Sequence, residues 1–129
     1  MTEFVVPNPT NAELQILRVL WRRGPSTVRE VLEELEDSRP VGYTTVLKLL
    51  QIMTDKQLVT RDSATRTHVY TANVSENSTQ QRLVSDLMDR AFGGSARELI
   101  QQALSGRRAS AEELDAIRQL LDDLERDNS

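Results

Sequence analysis

Apolar side chains recur every three or four residues in six stretches of the chain, a spacing that predicts six amphipathic helices. The expected helices cover residues 11–22, 28–36, 43–57, 78–92, 96–104 and 111–126. Four of them begin with a hydroxyl residue followed three positions later by glutamate, the pattern of a capping box. These pairs are Thr10 with Glu13, Thr27 with Glu30, Ser95 with Glu98, and Ser110 with Glu113.

The first three helices are each expected to bury one apolar stripe. The stripes are Leu14, Leu17, Leu20 and Trp21, then Val28, Val31, Leu32 and Leu35, and then Val46, Leu49, Leu50 and Met53. After the third helix, β-branched residues dominate two short runs, 58–62 and 67–72, which predict a hairpin closed by a four-residue loop. One face of this hairpin is expected to carry Val59 and Val69, with Leu58 beside them.

Three short helices followed by a hairpin is the order of a winged helix-turn-helix, so the fold is expected to be mainly α with a small β wing. The polar segment 74–79 predicts a link, with residues 1–75 as the winged domain and 76–129 as a second, three-helix domain. The last three helices are too short to build much core alone, so their apolar stripes predict dimerisation with a second copy. The expected dimerisation residues are Leu83, Leu87, Phe92, Leu99, Ile100, Leu104, Leu114, Ile117, Leu121 and Leu124.

Composition limits the chemistry available to this chain of 129 residues. It has no cysteine, which excludes disulfides, thiol nucleophiles and thiolate metal sites. Its single histidine, His68, has no catalytic grouping around it, so we expect no enzyme activity, metal or cofactor. No apolar run is long enough for a membrane span or a signal peptide, and the expected location is therefore cytoplasmic.

The charge is unevenly distributed. The net charge is −4, which on average disfavours a nucleic-acid partner. Residues 38–75, however, contain five cationic and two anionic side chains, a net charge of +3, whereas residues 77–129 are net negative. Because local charge matters more than the average, the acidic composition is weak evidence against DNA binding.

The third helix carries the main candidate site. If its apolar stripe faces inward, Thr44, Leu47, Lys48 and Gln51 lie together on the opposite face. Threonine can contact phosphate or a thymine methyl, glutamine can pair with an adenine edge, and lysine can reach phosphate or guanine. Arg61 and Arg66 on the hairpin lie where a wing would contact the DNA backbone. A solvated helix face and a charged hairpin tip without function is the alternative explanation.

Two other function classes compete with DNA binding. Winged helices also serve as protein-interaction modules without specific DNA binding, and the acidic composition and the apolar Leu47 would suit one. An enzyme is the weakest candidate, since a hydrolase or transferase needs a convergent polar site. A basic surface formed by residues 38–75 on the folded chain would favour DNA.

Several segments resemble the penicillinase-repressor family (BlaI/MecI type). They occur in the family's order over residues 10–126, and the helix–Gly–Gly–helix element falls where the family has it. The matching segments are AELQILRVLW, STVREVLEEL, YTTVLKLLQIM, LVTRD, TRTHVY, AFGGSARELIQQAL and SAEELDAIRQLL. The resemblance implies a homodimeric repressor with an N-terminal winged helix and a C-terminal dimerisation domain.

The resemblance also implies a partner and residue roles. Such dimers bind a pseudo-palindromic double-stranded DNA operator, with TACA and TGTA half-site elements, upstream of resistance or stress genes. Carried over to this chain, the base-contacting positions are Tyr43, Thr44, Thr45, Leu47 and Lys48, and the wing spans residues 61–70.

Two departures from the family pattern limit these implications. Leu47 and Ile52 stand where relatives carry arginine, so half-site preference is expected to differ. In the β-lactam branch a membrane sensor protease triggers cleavage between Asn and Phe, and this position falls at Gln102–Ala103 here. The resemblance therefore does not imply control by the same sensor protease. The copper branch uses C-terminal cysteines, which this chain lacks.

Overall fold

A computed structural model describes residues 5–36, 41–106 and 109–128 of the protein. These residues form six helices and a two-stranded antiparallel hairpin, which confirms the predicted mainly helical winged fold. The elements are α1 (Asn11–Arg23), α2 (Val28–Glu36), α3 (Tyr43–Asp55), β1 (Val59–Asp62), β2 (Val69–Ala72), α4 (Glu76–Ala91), α5 (Ala96–Gly106) and α6 (Ala111–Asp127).

Two of the four predicted capping boxes are complete. The Thr10 hydroxyl accepts a hydrogen bond from the Glu13 backbone N–H at 3.3 Å, and the Glu13 carboxylate accepts one from the Thr10 N–H at 2.9 Å. Thr27 and Glu30 form the same pair of bonds before α2, at 3.2 and 2.9 Å. At α5 and α6 only the hydroxyl bonds form among the described residues, from Glu98 N–H to Ser95 and from Glu113 N–H to Ser110.

The hydrophobic core lies between α1, α2, α3 and the hairpin. Its buried apolar residues are Ile16, Leu17, Val19, Leu20, Val28, Val31, Leu32, Leu35, Val46, Leu50, Met53, Leu58, Val59 and Tyr70. The stripe predicted for α2 is confirmed in full. In α1, Leu14 and Trp21 are only half-buried, and Ile16 and Val19 are buried instead. The reason is that α1 contacts α2, α3 and β2, so its buried face is wider than a single stripe.

The hairpin face was assigned wrongly in one respect. Val59 pairs with Ala72 and Arg61 with Tyr70, so Tyr70, rather than Val69, shares the face of Val59. Tyr70 is buried and Val69 is half-buried. The connecting loop, 63–68, is also two residues longer than the predicted loop, because neither Thr67 nor His68 pairs with β1.

A short bridge joins the hairpin to the α1–α2 connection. The Ser26 N–H donates to the Tyr70 carbonyl at 2.9 Å, and the Tyr70 N–H donates to the Ser26 carbonyl at 2.8 Å. Ser26 is buried, and its hydroxyl donates to the Gly24 carbonyl at 2.8 Å. The wing is therefore attached to the start of α2 by backbone hydrogen bonds, which the sequence pattern did not predict.

The chain divides into two compact units, residues 1–84 and 85–129. The division falls within α4, whose Thr79 is buried in the first unit. The assignment of 1–75 and 76–129 as functional domains stays a prediction. Within the described parts of the chain, no helix is long and apolar enough to cross a membrane.

Candidate nucleic-acid interface

Among the described residues, no side chain caps the N-terminal end of α3. Its N-cap is Gly42, which has no side chain that could accept a hydrogen bond from the first turn. Backbone N–H groups of that turn lack intrahelical partners, and the helix dipole makes this end electropositive. Thr44 and Thr45 are exposed at the same end. An anion such as a phosphate is the ligand that this arrangement suits.

The outward face of α3 is polar, with one exception. Thr44, Lys48 and Gln51 are exposed, as predicted from the spacing. Leu47 is half-buried and packs against the core, because it lies beside the buried Val46 on the helix surface. Its role in contacting bases stays a prediction, and its burial leaves only part of the side chain available.

The wing presents two cationic side chains. Arg61 lies on β1 and Arg66 in the loop, and both are exposed. The loop is ordered locally, since Asp62 accepts a hydrogen bond from the Ala64 N–H at 2.9 Å and the Thr65 hydroxyl donates to the Thr67 carbonyl at 2.6 Å. Among the described residues, neither arginine forms an ion pair, and neither does Lys48.

Two other cations in the first unit, Arg22 and Arg23, are neutralised within the chain. Arg22 and Arg23 bind Glu34 at 3.0 and 3.3 Å, and Arg23 also binds Glu30 at 2.7 Å. The hydrogen bond to Glu30 raises the pKa of Arg23 above its ordinary value. Lys48, Arg61 and Arg66 are therefore unpaired together on α3 and the wing, while Arg18, Arg29 and Arg82 of the first unit are also without an ion pair among the described residues.

Lys56 is committed to a buried carboxylate. Its ammonium contacts a Glu13 oxygen at 2.8 Å, and Glu13 is 1% exposed. Burial alone would raise the pKa of Glu13, but the hydrogen bond from Lys56, the Thr10 backbone bond and the charge of Lys56 outweigh it and lower the pKa below 4.5. Lys56 thus supports the fold and is not part of the free basic surface.

A groove of about 480 Å³ lies between the helices and the wing. It is lined by residues 27–29 at the start of α2, by Tyr43 and Leu47 of α3, and by the wing residues 66–68 and Tyr70. The Arg29 guanidinium lies 5.8 Å from the centre of the Tyr43 ring, over its face. A polar and cationic cleft therefore adjoins the exposed face of α3.

Arg29 was missed in the sequence analysis. DNA contacts were predicted only for the third helix and the hairpin. The sequence did contain a signal that places Arg29 on the surface. The capping box at Thr27 and Glu30 fixes the first turn of α2, and Arg29 is the outward residue between the buried Val28 and Val31. Its partner Tyr43 lies 14 positions further along the chain, a contact that no local spacing predicts.

Metal binding has no visible basis in the described residues, where no group of three or more His, Cys, Asp or Glu side chains could hold an ion. His68 is exposed in the wing loop and lines the groove.

The predicted DNA-contacting residues Tyr43, Thr44, Thr45, Lys48 and Gln51 are all exposed on α3. Arg61 and Arg66 are exposed on the adjoining wing.

Comparison with known proteins gives a consistent result. The model of the penicillinase repressor family matches residues 9–123. The transcriptional regulator BlaI of Mycobacterium tuberculosis is 34% identical over 116 residues, covering 88% of this chain and 82% of that protein. The penicillinase repressor of Bacillus licheniformis is 23% identical over 118 residues, covering 92% of each chain.

Solved structures support the N-terminal fold. The solution structure of the DNA-binding domain of the repressor BlaI superposes with a TM-score of 0.51 at 26% identity, covering 57% of this chain and 90% of that domain. These matches confirm the resemblance, exclude the enzyme classes and favour repression over an interaction module. The chain belongs to the penicillinase repressor family and is a DNA-binding transcriptional repressor with a winged helix-turn-helix domain.

Proposed function

We propose that the protein acts as a homodimer on a pseudo-palindromic operator and represses transcription by blocking access of polymerase to the promoter. The observation that carries this proposal is the unneutralised basic surface formed by Lys48, Arg61 and Arg66 beside the exposed hydroxyls of Thr44 and Thr45. A DNA phosphate backbone supplies the missing negative charge.

In this proposal α3 enters the major groove with its N-terminal end foremost. Thr44 and Thr45 contact phosphate or a thymine methyl group through hydroxyl and methyl. Gln51 pairs with an adenine edge, and Lys48 reaches phosphate or guanine. Tyr43 and the exposed part of Leu47 contribute contact area at the helix start.

The wing binds the DNA backbone next to the groove that α3 occupies. Arg61 and Arg66 are exposed on the hairpin and have no carboxylate partner among the described residues. Each phosphate neutralised releases counterions, so the affinity falls steeply with salt. Phosphate contacts then supply much of the affinity, and contacts from α3 supply the sequence preference.

The C-terminal helices provide the apolar face that contacts a second copy. None of the described residues from 85 onward is buried, although α5 and α6 carry regular apolar stripes. Leucine and isoleucine side chains exposed by 44–54% are costly in water, and a second copy would cover them. The exposed members of the predicted set are Leu87, Ile100, Leu121 and Leu124, and Val84 and Leu120 extend it.

A twofold dimer fits a pseudo-palindromic operator, because each winged helix then contacts one half-site. Residues 1–75 would contact DNA and 76–129 would dimerise. We place the protein in the cytoplasm, as a repressor that binds operator DNA requires access to the chromosome.

Cleavage by a sensor protease is not part of the proposal. Gln102 and Ala103 are exposed but lie inside α5, so hydrolysis between them would require local unfolding of the helix. The residue pair also differs from the one that the family resemblance leads us to expect.

Selection of binding sites from random duplexes tests the proposed function. We expect enrichment of an inverted repeat, and anisotropy titrations with that duplex and a scrambled one should show salt-sensitive binding that favours the first. Lys48→Ala should weaken both and reduce the salt slope by about one unit. Thr44→Ala should cost more on the selected duplex. A pool without enrichment, or equal losses on both duplexes for Thr44→Ala, would contradict the proposal.

A further inference from the structure

The polar side chains that line the groove between the helices and the wing are cationic or neutral. Its polar lining consists of cations and of groups that can donate hydrogen bonds, among them Arg29, Tyr43, Arg66 and His68. No carboxylate is among the described residues that line it. Such a cleft favours an anion, and its volume of about 480 Å³ exceeds that of a single phosphate group and leaves room for the attached sugars.

Arg29 and Arg66 enter this groove from different elements. Arg29 comes from the first turn of α2 and Arg66 from the wing loop. Neither forms an ion pair among the described residues, although Glu30, next to Arg29, is available in the sequence. Glu30 is already bound to Arg23 at 2.7 Å and to the Thr27 N–H at 2.9 Å. Arg29 is thereby left without a carboxylate.

The Arg29 guanidinium lies against the aromatic ring of Tyr43. The guanidinium is over the ring face, 5.8 Å from its centre, and a cation is attracted to that face by the electron density of the ring. An arginine stacked on an aromatic ring keeps its N–H edge free to bind an oxyanion. Tyr43 is the first residue of α3, so this contact also couples α2 to the start of the recognition helix.

We propose that Arg29 and Arg66 bind the same phosphate of the DNA backbone from two sides of the groove, with Tyr43 holding Arg29 in position. This inference rests on the proposed function, since it names a DNA contact of the same surface. The phosphate would lie between α2 and the wing, next to the DNA major groove that α3 enters. Both arginines would donate charge-assisted hydrogen bonds to its oxygens.

The salt dependence of binding tests whether the phosphate is shared. On the selected duplex, Arg29→Ala and Arg66→Ala should each weaken binding about tenfold. Because one phosphate is lost, the double variant should reduce the salt slope by about one unit. A reduction of about two units would assign two separate phosphates and overturn the shared site.

Variants of Tyr43 test its positioning role. Tyr43→Phe keeps the ring face and should retain most of the affinity that depends on Arg29. Tyr43→Leu removes the ring and should weaken binding in the native background. In the Arg29→Ala background the same change should have a clearly smaller effect, limited to the contact area of Tyr43 itself. Equal losses in both backgrounds would show that Tyr43 contacts DNA independently of Arg29 and would overturn the coupling.

Arg18→Ala is the matched charge control. Arg18 is exposed in α1, lies outside the groove and forms no ion pair among the described residues. Its removal changes the net charge as Arg29→Ala does, and should leave the salt slope within half a unit of native, a change well below the one unit expected per phosphate. Native-like thermal unfolding of Arg29→Ala excludes a folding defect. Arg18→Ala should also leave the affinity for the selected duplex near native, whereas Arg29→Ala should lower it about tenfold. If the native protein prefers the selected duplex and Arg29→Ala binds it as tightly as Arg18→Ala does, this inference alone is overturned.

Discussion

Helices α1 to α3 and helices α5 and α6 show similar amphipathic patterns, but they differ in what the apolar faces contact. In the first group the stripes are largely buried: Val31, Val46 and Leu50 are each 0% exposed, while Leu14, Trp21 and Leu49 are half-buried. In the second group none of the described residues is buried, and Leu120 is 54% exposed. The same periodicity therefore marks a folding core in one region and, in the other, an exposed apolar face that we propose contacts a second copy.

The ion pairs differ between the two regions as well. Glu13 and Lys56 join α1 to the end of α3, and the carboxylate side chain is only 2% exposed. In the second unit the described pairs are local and exposed, such as Arg118 with Asp115 three residues away, at 70% and 74% exposure. Charges in the first region are part of tertiary packing, whereas those in the second keep single helices solvated.

Truncation of the core should have the largest effect on stability. Leu50→Ala removes a side chain that is 0% exposed among α1, α2 and the hairpin. We expect the free energy of unfolding to fall by about 2–5 kcal/mol, from lost burial and the cavity left behind. Urea unfolding measures this change. The dimer dissociation constant should stay native-like, and a large rise in it would mean that the two regions are not independent.

A charge on the C-terminal apolar face should break association instead. Leu121→Asp places a carboxylate within the face proposed to meet a second copy. We expect the dimer dissociation constant to rise about 100-fold or more, as for a central interface residue. Sedimentation equilibrium measures it. Gln119→Asp, which introduces the same side chain on the opposite face of α6, should leave the constant unchanged. A native protein that sediments as a single chain would refute the interface.

Much of the first region could be predicted from sequence because its determinants are local. The capping boxes at Thr10 and Thr27 placed the starts of α1 and α2, and the stripe of α2 was assigned without error. The hairpin was located and Val59 was correctly placed inward, but the inward residue of β2 was not. Whether Val69 or Tyr70 faces inward depends on the pairing register, which a six-residue loop sets and alternation alone does not.

Long-range contacts were beyond the sequence pattern. Glu13 was predicted as a capping residue, but its burial depends on Lys56, which lies 43 positions away. Arg29 contacts the ring of Tyr43 in α3, and Ser26 forms a bridge to Tyr70 in β2. Each of these contacts joins residues of different elements. The apolar stripes of α5 and α6 could be read from the sequence, but periodicity alone does not distinguish a face that fills a core from a face that contacts another chain.

Removing the partner of the buried carboxylate should have an intermediate effect. Lys56→Met leaves Glu13 without its cation, and we expect a loss of about 1–3 kcal/mol at neutral pH, measured by urea unfolding. Arg118→Met, which breaks an exposed pair in the other region, should cost less than about 0.5 kcal/mol. An equal loss in both variants would contradict the distinction between buried and exposed pairs.

The pH dependence of the same variant has a definite sign. In the native protein the pKa of Glu13 is lowered below 4.5, so its contribution is complete above that pH and is lost as the pH falls through the folded-state pKa. In Lys56→Met burial still raises this pKa and only the Thr10 hydrogen bonds still lower it, so the folded-state pKa of Glu13 lies higher than in the native protein and less stability is lost on acidification. The stability difference between the two proteins should therefore shrink below about pH 4.5. A constant difference would mean that Lys56 acts through packing alone.

The smallest predicted effect compares the two regions at their left-handed backbone positions. Gln57, after α3, has φ of 64°, whereas the second region uses Gly93 and Gly94 there, at 56° and 83°. A residue with a Cβ atom is strained in this conformation by about 1 kcal/mol, which glycine avoids. Gln57→Gly should thus raise the free energy of unfolding, measured by thermal unfolding, by up to that amount. The hydrogen bond from the Asn73 side chain is kept, because it goes to the backbone carbonyl of residue 57. Gly94→Ala should lower the helicity measured by circular dichroism, because it strains the turn in which the Gly94 N–H donates to the Met88 carbonyl at 2.9 Å. If Gln57→Gly instead destabilised the protein, the glutamine side chain would stabilise the fold by more than its backbone strain costs. The left-handed position after α3 would then not favour glycine as Gly93 and Gly94 do.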